Sequence, residues 1–312
     1  MDGVLNVNKP CGPTSHDVVA LIRRVARVKR VGHAGTLDPL ATGVLIVCLG
    51  SATRIIEYLG DWRKKYRATA VLGIETDTED ATGQVTREAD CSKVTREMIE
   101  NVVPRFTGEI MQIPPLVSAV HHEGRRLYDL AREGKVVERE PRPVEVYSLD
   151  LVGFEPGKNA SFDFDVECSS GTYVRTLCAD IGRALGCGAH MSSLVRTAVG
   201  RFRVEDAVSL EVIEQKVAEG ALVELLHSMD EVLDDMPSVE VSWDDAERIA
   251  NGIVLSAEKL SACGGLPSPG APLRVHDPDG RLIAIGILRQ ADYGLELKPE
   301  KVFAEPHRSG DR

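Results

Sequence analysis

The sequence predicts an α+β protein with a second, smaller β-rich part towards its C-terminal end. Segments that alternate in polarity, as strands do, occur among segments with the apolar spacing of helices. The composition changes at the acidic stretch Asp230–Pro237, and the strand-like segments beyond it are separated by turns such as residues 277–280 (Asp-Pro-Asp-Gly). For this chain of 312 residues we therefore expect two domains, residues 1–236 and residues 237–312.

Strands, helices and loops can be assigned along the first of these parts. Strands are predicted at Gly3–Val7, Val44–Leu49, Lys65–Gly73 and Phe162–Cys168. Helices are predicted after Thr14 or Ser15, from about Ser51, and after Thr172. Between them we predict a Gly-rich loop, an acidic loop and a long insertion, at Val31–Gly43, Glu75–Gly83 and about residues 111–143.

Composition excludes several classes of protein and favours the cytoplasm. The stretch Met1–Asn6 lacks the basic start and apolar run of a secretory signal, and the longest apolar run, Val44–Leu49, is too short to span a bilayer. The seven cysteines include no Cys-x-x-Cys pair, which favours a reducing compartment over a disulfide framework. Zinc-type spacing is also missing, so we expect neither a metal site nor a membrane partner.

Charge is distributed unevenly along the chain, whose net charge is −11. Residues 1–67 carry eleven Lys and Arg against five Asp and Glu, whereas residues 205–312 carry ten against twenty-two. A basic segment on an acidic protein can form a local phosphate-binding face, although a solvated surface is the commoner meaning of such a bias. Charge alone leaves both interpretations open.

The most unusual stretch is the loop at residues 32–43, GHAGTLDPLATG. Its glycines permit a tight turn and the close approach of another molecule, and Pro39 biases Asp38 towards an extended conformation that can present its carboxylate. It is not a Walker loop, because no Gly-Lys-Ser/Thr follows. On physical grounds an Asp-Pro pair is more often a turn than a nucleophile, so the loop alone does not decide the function.

The same stretch carries a resemblance to a known family. Residues 32–45 (GHAGTLDPLATGVL) are similar, position for position, to the catalytic motif of the TruB family of pseudouridine synthases. Other segments resemble that family in the same order: residues 3–10 (GVLNVNKP), 65–67 (KYR), 73–83 (GIETDTEDATG), 113–119 (IPPLVSA), 171–175 (GTYVR) and 194–200 (LVRTAVG). The resemblance implies a pseudouridine-synthase fold with a mixed, largely antiparallel sheet, followed from about Pro237 by a PUA-like RNA-binding domain.

The resemblance implies a catalytic role for three residues. Asp38 matches the family's essential aspartate, and Arg175 matches the arginine that pairs with this carboxylate. Tyr173 resembles an active-site tyrosine that contacts the uracil and is a candidate base. A carboxylate is required to assist glycosidic cleavage, either by covalent attack or by stabilising the positive sugar, and the sequence leaves both routes open.

Four further residues resemble substrate-binding positions of the family. Tyr66 is similar to the tyrosine that stacks on the flipped base, and His33 to the histidine that fills the space it vacates. Leu194 resembles an apolar wall of the base pocket. Lys9 lies in the family's Lys-Pro motif, which supports the active-site loop or a phosphate. Without the family, these residues would be interpreted as a core tyrosine, a loop histidine, a buried leucine and a turn lysine.

The resemblance implies that the protein isomerises uridine 55 in the T-arm of tRNA to pseudouridine, without a cofactor, a guide RNA or an obligatory protein partner. The alternatives are a guide-RNA-dependent, dyskerin-like synthase and a tRNA-binding or tRNA-folding module whose main role does not need catalysis. The insertion around residues 111–143 favours the guide-independent enzyme, because it would clasp the RNA. Two departures from the family weaken the expected phosphate contacts: His121 stands where lysine is common, and the C-terminal part of the chain, residues 205–312, is strongly acidic.

Overall fold

The computed structural model describes residues 1–115, 139–257, 260, 266–292 and 294–303, together with the backbone of residues 121–122 and 125–126. The strands are β1 (Gly3–Lys9), β2 (Val31–Ala34), β3 (Thr42–Leu49), β4 (Lys64–Leu72), β5 (Ile74–Thr76), β6 (Val85–Glu88), β7 (Gly108–Gln112), β8 (His121–His122), β9 (Arg125–Arg126), β10 (Arg142–Glu155), β11 (Ser161–Cys168), β12 (Ala189–Val199), β13 (Phe202–Arg203), β14 (Ser238–Glu240), β15 (Leu255–Ser256), β16 (Pro272–His276), β17 (Leu282–Ala291) and β18 (Gly294–Val302). The helices are α1 (Ser15–Ala26), α2 (Ile56–Leu59), α3 (Arg96–Val102), α4 (Val174–Ala184), α5 (Leu210–Ala218), α6 (Met229–Val232) and α7 (Trp243–Ala250). None of the described helices is long and apolar enough to cross a membrane.

The larger sheet has nine strands and places β12 between β3 and β4. Its path runs β1-β3-β12-β4-β11-β10-β7, with β2 paired to β3 and β13 paired to β12. The β3–β12 pair is parallel, and the other pairs described for this sheet are antiparallel. The predicted α+β class with a mixed, largely antiparallel sheet is confirmed.

Local sequence explains the elements that frame the centre of this sheet. In β4, alternate residues from Lys64 to Leu72 are buried, so one face of the strand packs against the core. At the start of α1, the Thr14 hydroxyl accepts a hydrogen bond from the Asp17 backbone N–H, and the Asp17 carboxylate accepts one from the Thr14 N–H. This reciprocal capping fixes the residue at which α1 begins.

The second sheet has five strands in the order β14-β16-β17-β18-β15, and it begins at Ser238. Apolar side chains also connect this sheet to the larger one. Ile285 and Phe303 pack in the same hydrophobic cluster as Val4 and Ile46 of the larger sheet, so the two sheets share apolar contacts. The β-rich C-terminal part is confirmed, while residues 1–236 and 237–312 remain our proposed domains.

The helix predicted near Ser51 is present, as a 3₁₀ helix, Gly50–Ile55, that runs directly into the one-turn α2. Two of the predicted local features are wrong. The segment Val31–Gly43 is not all loop, because Val31–Ala34 pairs with the end of β3. Thr172 does not cap α4, because Tyr173 occupies the N-cap position.

The predicted insertion falls partly outside the described residues. Residues 116–120, 123–124 and 127–138 lie outside them, and so does the side chain of His121. The two ends of the insertion are described, and there the guanidinium of Arg139 donates a 2.9 Å hydrogen bond to the carbonyl of Pro114. The expected role of the insertion in clasping RNA therefore stays a prediction.

Candidate active site

Lys9, at the end of β1, supports the loop that carries Asp38. Its side chain is buried, and its ammonium donates hydrogen bonds to the carbonyl oxygens of Pro10, Pro39 and Ala41 at 3.0, 3.2 and 2.7 Å. Burial lowers the pKa of this ammonium. Two of the three carbonyls, those of Pro39 and Ala41, lie one and three residues after Asp38, so Lys9 fixes the backbone on that side of the carboxylate.

Ser15, in the first turn of α1, fixes the backbone on the other side of Asp38. The Ser15 hydroxyl accepts a 2.8 Å hydrogen bond from the N–H of Leu37 and donates one of 3.0 Å to the Leu37 carbonyl. Both partners are buried. The loop is therefore bonded to the framework immediately before and immediately after its aspartate.

Arg196, on β12, holds the first half of the same loop. It is 1% exposed, and its guanidinium donates to the carbonyls of Val44, Thr36 and Gly35 at 2.7, 3.3 and 3.1 Å. In the parallel β3–β12 pair Arg196 lies opposite Gly43, where a Cβ would come within 2.3 Å of the Arg196 carbonyl. A glycine at position 43, with φ of +98°, lets the two strands approach and places the arginine under the loop.

Asp38 itself is half-buried and faces Arg175. The shortest distance between them, from Asp38 Oδ2 to Arg175 Nη2, is 3.5 Å. Burial raises the pKa of the Asp38 carboxyl, the positive charges of Arg175 and Lys9 lower it, and the negative charge of Asp80 raises it. The site thus holds one carboxylate in a partly desolvated position beside a cation.

A second aspartate, Asp80, approaches Arg175 from the acidic loop. Its Oδ2 lies 3.8 Å from Arg175 Nη1. Its Oδ1 accepts hydrogen bonds from the hydroxyls of Thr78 and Thr82, at 2.8 and 2.6 Å, and from the Thr82 N–H at 2.9 Å. Arg175 therefore lies between two carboxylates, of which Asp80 is fixed by its own loop.

Helix α4 carries Arg175, and Tyr173 is its N-cap residue. The guanidinium carbon of Arg175 is 5.8 Å from the centroid of the Tyr173 ring. The Thr176 hydroxyl, one residue further on, donates a 2.6 Å hydrogen bond to the Glu79 carboxylate, which ties α4 to the acidic loop a second time. These contacts place Tyr173 and Arg175 beside Asp38 at one end of the larger sheet.

Tyr66 and Leu194 lie on the neighbouring strands β4 and β12. They belong to one hydrophobic cluster with Leu37, and Tyr66 is 9% exposed while Leu194 is 7% exposed. Burial raises the pKa of the Tyr66 hydroxyl, and the charges of Arg196 and Asp38 also act on it. The tyrosine is thus both a core residue and a neighbour of the Asp38 loop.

His33 lies on β2, next to the loop that Arg196 supports. Burial lowers the pKa of its imidazole, and the positive charges of Arg196 and His16 lower it further. These effects favour the neutral form of the ring. Its Nδ1 is buried and has no hydrogen-bond partner among the described residues. This nitrogen could therefore form one further hydrogen bond.

Sequence reasoning missed three residues that shape this site: Asp80, Arg196 and Gln112. Asp80 and Arg196 both lie inside segments that resemble the family, but the sequence assigned neither of them a role. Gln112 ends β7, is 1% exposed, and exchanges hydrogen bonds with the backbone of Tyr173. The signal available for all three was their presence in or beside the matching segments.

Solved structures of similar fold include protein–RNA assemblies. A chain from an H/ACA RNP bound to a substrate RNA containing 2′-deoxyuridine is 28% identical, with a TM-score of 0.74, covering 98% of this chain and 86% of that one. A chain from a Cbf5–Nop10–Gar1 complex is 29% identical, with a TM-score of 0.73, covering 97% of this chain and 85% of that one. The fold of the protein is the fold of these chains.

Sequence comparison gives the family. The model described as "TruB family pseudouridylate synthase (N terminal domain)" matches residues 23–174, and the "tRNA pseudouridylate synthase B C-terminal domain" matches residues 175–234. The tRNA pseudouridine synthase B of Geobacillus thermodenitrificans is 44% identical over 97% of this chain and 100% of its own length. That of Dehalococcoides mccartyi is 40% identical over 98% of both chains. The chain belongs to the TruB family of pseudouridylate synthases.

Proposed function

We propose that the protein is a guide-independent tRNA pseudouridine synthase that isomerises uridine 55 in the T-arm. Two relatives that match over nearly their full length, at 44% and 40% identity, are named tRNA pseudouridine synthase B. The observation that carries the proposal is the 3.5 Å pair of Asp38 and Arg175. Asp38 lies on a loop that Lys9, Ser15 and Arg196 fix through its backbone, and Arg175 lies on α4. An aspartate presented in this way suits a reaction that needs one carboxylate and a rigid backbone.

The proposed reaction breaks the bond from N1 of uracil to C1′ of ribose and forms a bond from C5 to C1′. The hydrogen on C5 is lost to water and N1 gains one, so the product is an isomer and no electrons are exchanged. The Asp38 carboxylate assists the first step, by attack on the sugar or by stabilising its positive charge. Arg175 keeps that carboxylate ionised and oriented, and Tyr173 is the candidate base for the C5 proton.

The uridine must leave the stacked RNA before Asp38 can reach its sugar. In this proposal the ring of Tyr66 stacks on the flipped base and Leu194 forms an apolar wall of its pocket. The shared hydrophobic cluster of Tyr66, Leu194 and Leu37, the residue just before Asp38, supports this arrangement. The environment of His33 favours its neutral form, and among the residues that the structure describes its buried Nδ1 has no hydrogen-bond partner. Such a ring suits insertion into the space that the base leaves.

The tRNA phosphates require positive charge, and the end of α1 offers it. Arg24, Arg27, Lys29 and Arg30 are exposed there, whereas Arg23 donates a hydrogen bond to the Val31 carbonyl. We propose that this exposed group contacts the RNA backbone. The PUA-like assignment of residues 237–312 and their contact with RNA are proposals too, and so is the cytoplasmic location. That the reaction needs no metal, cofactor or obligatory protein partner stays a prediction.

The guide-independent enzyme can be distinguished from a guide-dependent one with the protein alone. We would incubate it with an isolated T-arm stem-loop and map the pseudouridine formed. Modification of the T-loop uridine and no other is expected, because a T-loop already presents a defined shape with bases available to splay out. Activity that appears only when a guide RNA and partner proteins are added would overturn the proposal. The Asp38→Asn protein serves as the matched control.

The non-catalytic alternative, a tRNA-folding module, makes a different prediction for that control. If folding of tRNA is the main role, cells that carry Asp38→Asn should grow like wild type under conditions in which cells lacking the protein grow poorly. We expect loss of pseudouridine in the Asp38→Asn strain in either case. Growth competition between the three strains therefore separates the two roles.

A further inference from the structure

Gln112 stands at the point where the insertion leaves the larger sheet. It is the last residue of β7 and lies opposite Arg142, the first residue of β10. The chain between these two residues is the insertion, so Gln112 and Arg142 form its root. Gln112 is 1% exposed, which is unusual for an uncharged polar side chain without a structural or functional task.

The Gln112 side chain makes two hydrogen bonds, both to the backbone of Tyr173. Its Oε1 accepts from the Tyr173 N–H at 3.0 Å, and its Nε2 donates to the Tyr173 carbonyl at 3.2 Å. The same carbonyl accepts the 3.0 Å hydrogen bond from the Leu177 N–H that starts α4. The Tyr173 side chain does not cap α4. Gln112 instead fixes the backbone of the residue that precedes the helix.

The position of this helix start determines the position of Arg175. Arg175 lies two residues beyond Tyr173, and its guanidinium stands between Asp38 and Asp80 at 3.5 and 3.8 Å. Both distances are at the long end for an ion pair, and a small shift of α4 changes which carboxylate the guanidinium approaches. A contact that fixes where α4 begins therefore also determines how closely Arg175 approaches Asp38.

We propose that Gln112 is a positioning residue, through which the root of the insertion places Tyr173 and Arg175 against Asp38. The proposal rests on the proposed function, since it assumes that Asp38 assists the reaction. The Gln112 amide holds the backbone of Tyr173, and with it the place from which Arg175 reaches Asp38.

If Gln112 had a merely structural role, its replacement would lower stability and leave the chemistry of the folded enzyme unchanged. If it has a positioning role, its replacement should also change the pH dependence of the rate. The charged neighbours that act on Asp38 are Arg175, Asp80 and Lys9. If Arg175 moves away, the Asp38 carboxyl loses the cation that lowers its pKa most, and a smaller fraction is ionised at a given pH. The acid limb of the single-turnover rate must then move to higher pH.

The test replaces Gln112 by Met, which is close in length and adds no charge. Single-turnover rates on tRNA at saturating protein are measured from acidic to neutral pH, so that the acid limb is recorded. We expect a rate about tenfold lower or more at neutral pH, and an acid limb at higher pH. Gln112→Asn keeps the amide but shortens its reach, so it should change both quantities in the same direction and less.

Two controls separate the possible outcomes. Gln215→Met makes the same substitution at an exposed residue of α5 and should match wild type. Arg139→Met removes the hydrogen bond to the Pro114 carbonyl, which loosens the ends of the insertion without touching Tyr173. It should leave the acid limb in place.

The failure of this proposal differs from the failure of the proposed function. If wild-type protein forms no pseudouridine in tRNA, the function is wrong. If wild type is active while folded Gln112→Met and Gln112→Asn keep its rate and its acid limb, the positioning role is wrong. Thermal unfolding of each variant shows whether it is folded, and Gln112→Asn keeps the test decisive should Gln112→Met not fold.

Discussion

Two loops each bring an aspartate to Arg175: one precedes β3 and carries Asp38, and the other joins β5 to β6 and carries Asp80. The first loop is fixed through its backbone: Lys9, Ser15 and Arg196 bind its carbonyls and one N–H, and the Asp38 side chain stays 33% exposed. The second is fixed through its aspartate, whose Oδ1 accepts three hydrogen bonds and whose side chain is 6% exposed.

The two carboxylates therefore have different tasks. That of Asp38 is left accessible to another molecule, whereas that of Asp80 holds its own loop in place. Holding a loop by its main chain leaves the side chain of Asp38 available to another molecule, with only Arg175 as a cationic partner within 4 Å among the described residues. Holding a loop by its carboxylate, as at Asp80, commits that group to the structure. The same residue type thus serves two purposes 3.5 and 3.8 Å from one guanidinium.

The largest effect in this comparison is expected for Asp38→Asn. The substitution keeps the size of the side chain and removes the charge that assists glycosidic cleavage, so the single-turnover rate should fall by about a thousandfold or more. Affinity for tRNA should change little, because the loop backbone is held by other residues. A rate within tenfold of wild type would show that another carboxylate performs the chemistry.

Arg175→Lys should have the second largest effect, about a hundredfold on the same rate. A lysine carries the charge but not the planar fork that spans two carboxylates. Asp80→Asn is the matched comparison: it retains most of the loop's hydrogen bonds, and a loss of about tenfold is expected from a shift of Arg175. Single-turnover measurement at saturating protein isolates this step. If Arg175→Lys alters affinity alone, the arginine binds phosphate and the pairing with Asp38 is wrong.

The pH dependence of the rate should show how the charges of Asp80 and Lys9 act on the Asp38 carboxyl, because removing each of them shifts its pKa in the opposite direction. Burial raises the pKa of Asp38, so the acid limb of the wild-type rate should lie above the value of about 3.9 for an unperturbed aspartate. Asp80→Asn removes a negative charge that raises this pKa, and the limb should move to lower pH. Lys9→Met removes a positive charge that lowers it, and the limb should move to higher pH. Equal shifts in both variants would contradict the electrostatic assignment.

Lys9→Met should also lower stability, by about 1–3 kcal/mol in the free energy of unfolding, because three carbonyls lose their buried donor. Lys65→Met is the control at an exposed lysine paired with Glu167, where a change of less than about 1 kcal/mol is expected. Denaturant unfolding of both variants gives the comparison. A cost at Lys9 no larger than at Lys65 would mean that the loop does not depend on the ammonium.

Much of the fold could be predicted because its signals are local. The alternation in β4 and the Thr14 cap of α1 need only neighbouring residues. The strand Val31–Ala34 could not be found in this way, because it is four residues long, contains a glycine, and depends on pairing with β3. The start of α4 was misplaced at Thr172 because its actual partner, Gln112, is 61 residues from Tyr173 in sequence.

The residues of the candidate site also fall into two groups, those that the sequence singled out and those whose roles depend on contacts distant in sequence. Asp38, Arg175 and Tyr173 were singled out through a family resemblance, since an Asp-Pro pair and a helix start have common structural meanings. Arg196 could not be assigned a role, because that role arises from the parallel pairing of β12 with Gly43 of β3, which no local pattern predicts. Asp80 was one of several acidic residues in its loop, and burial alone distinguishes it.

The central claim, that Asp38 assists the joining of C5 to C1′, is tested most directly by hydrogen release. Unmodified tRNA labelled with tritium at uracil C5 is incubated with wild-type, Asp80→Asn and Asp38→Asn protein, and tritium in water is counted. We predict release equivalent to one uridine per tRNA from wild type, slower release from Asp80→Asn and none above background from Asp38→Asn. Release from Asp38→Asn at a rate comparable to that of wild type would contradict the account.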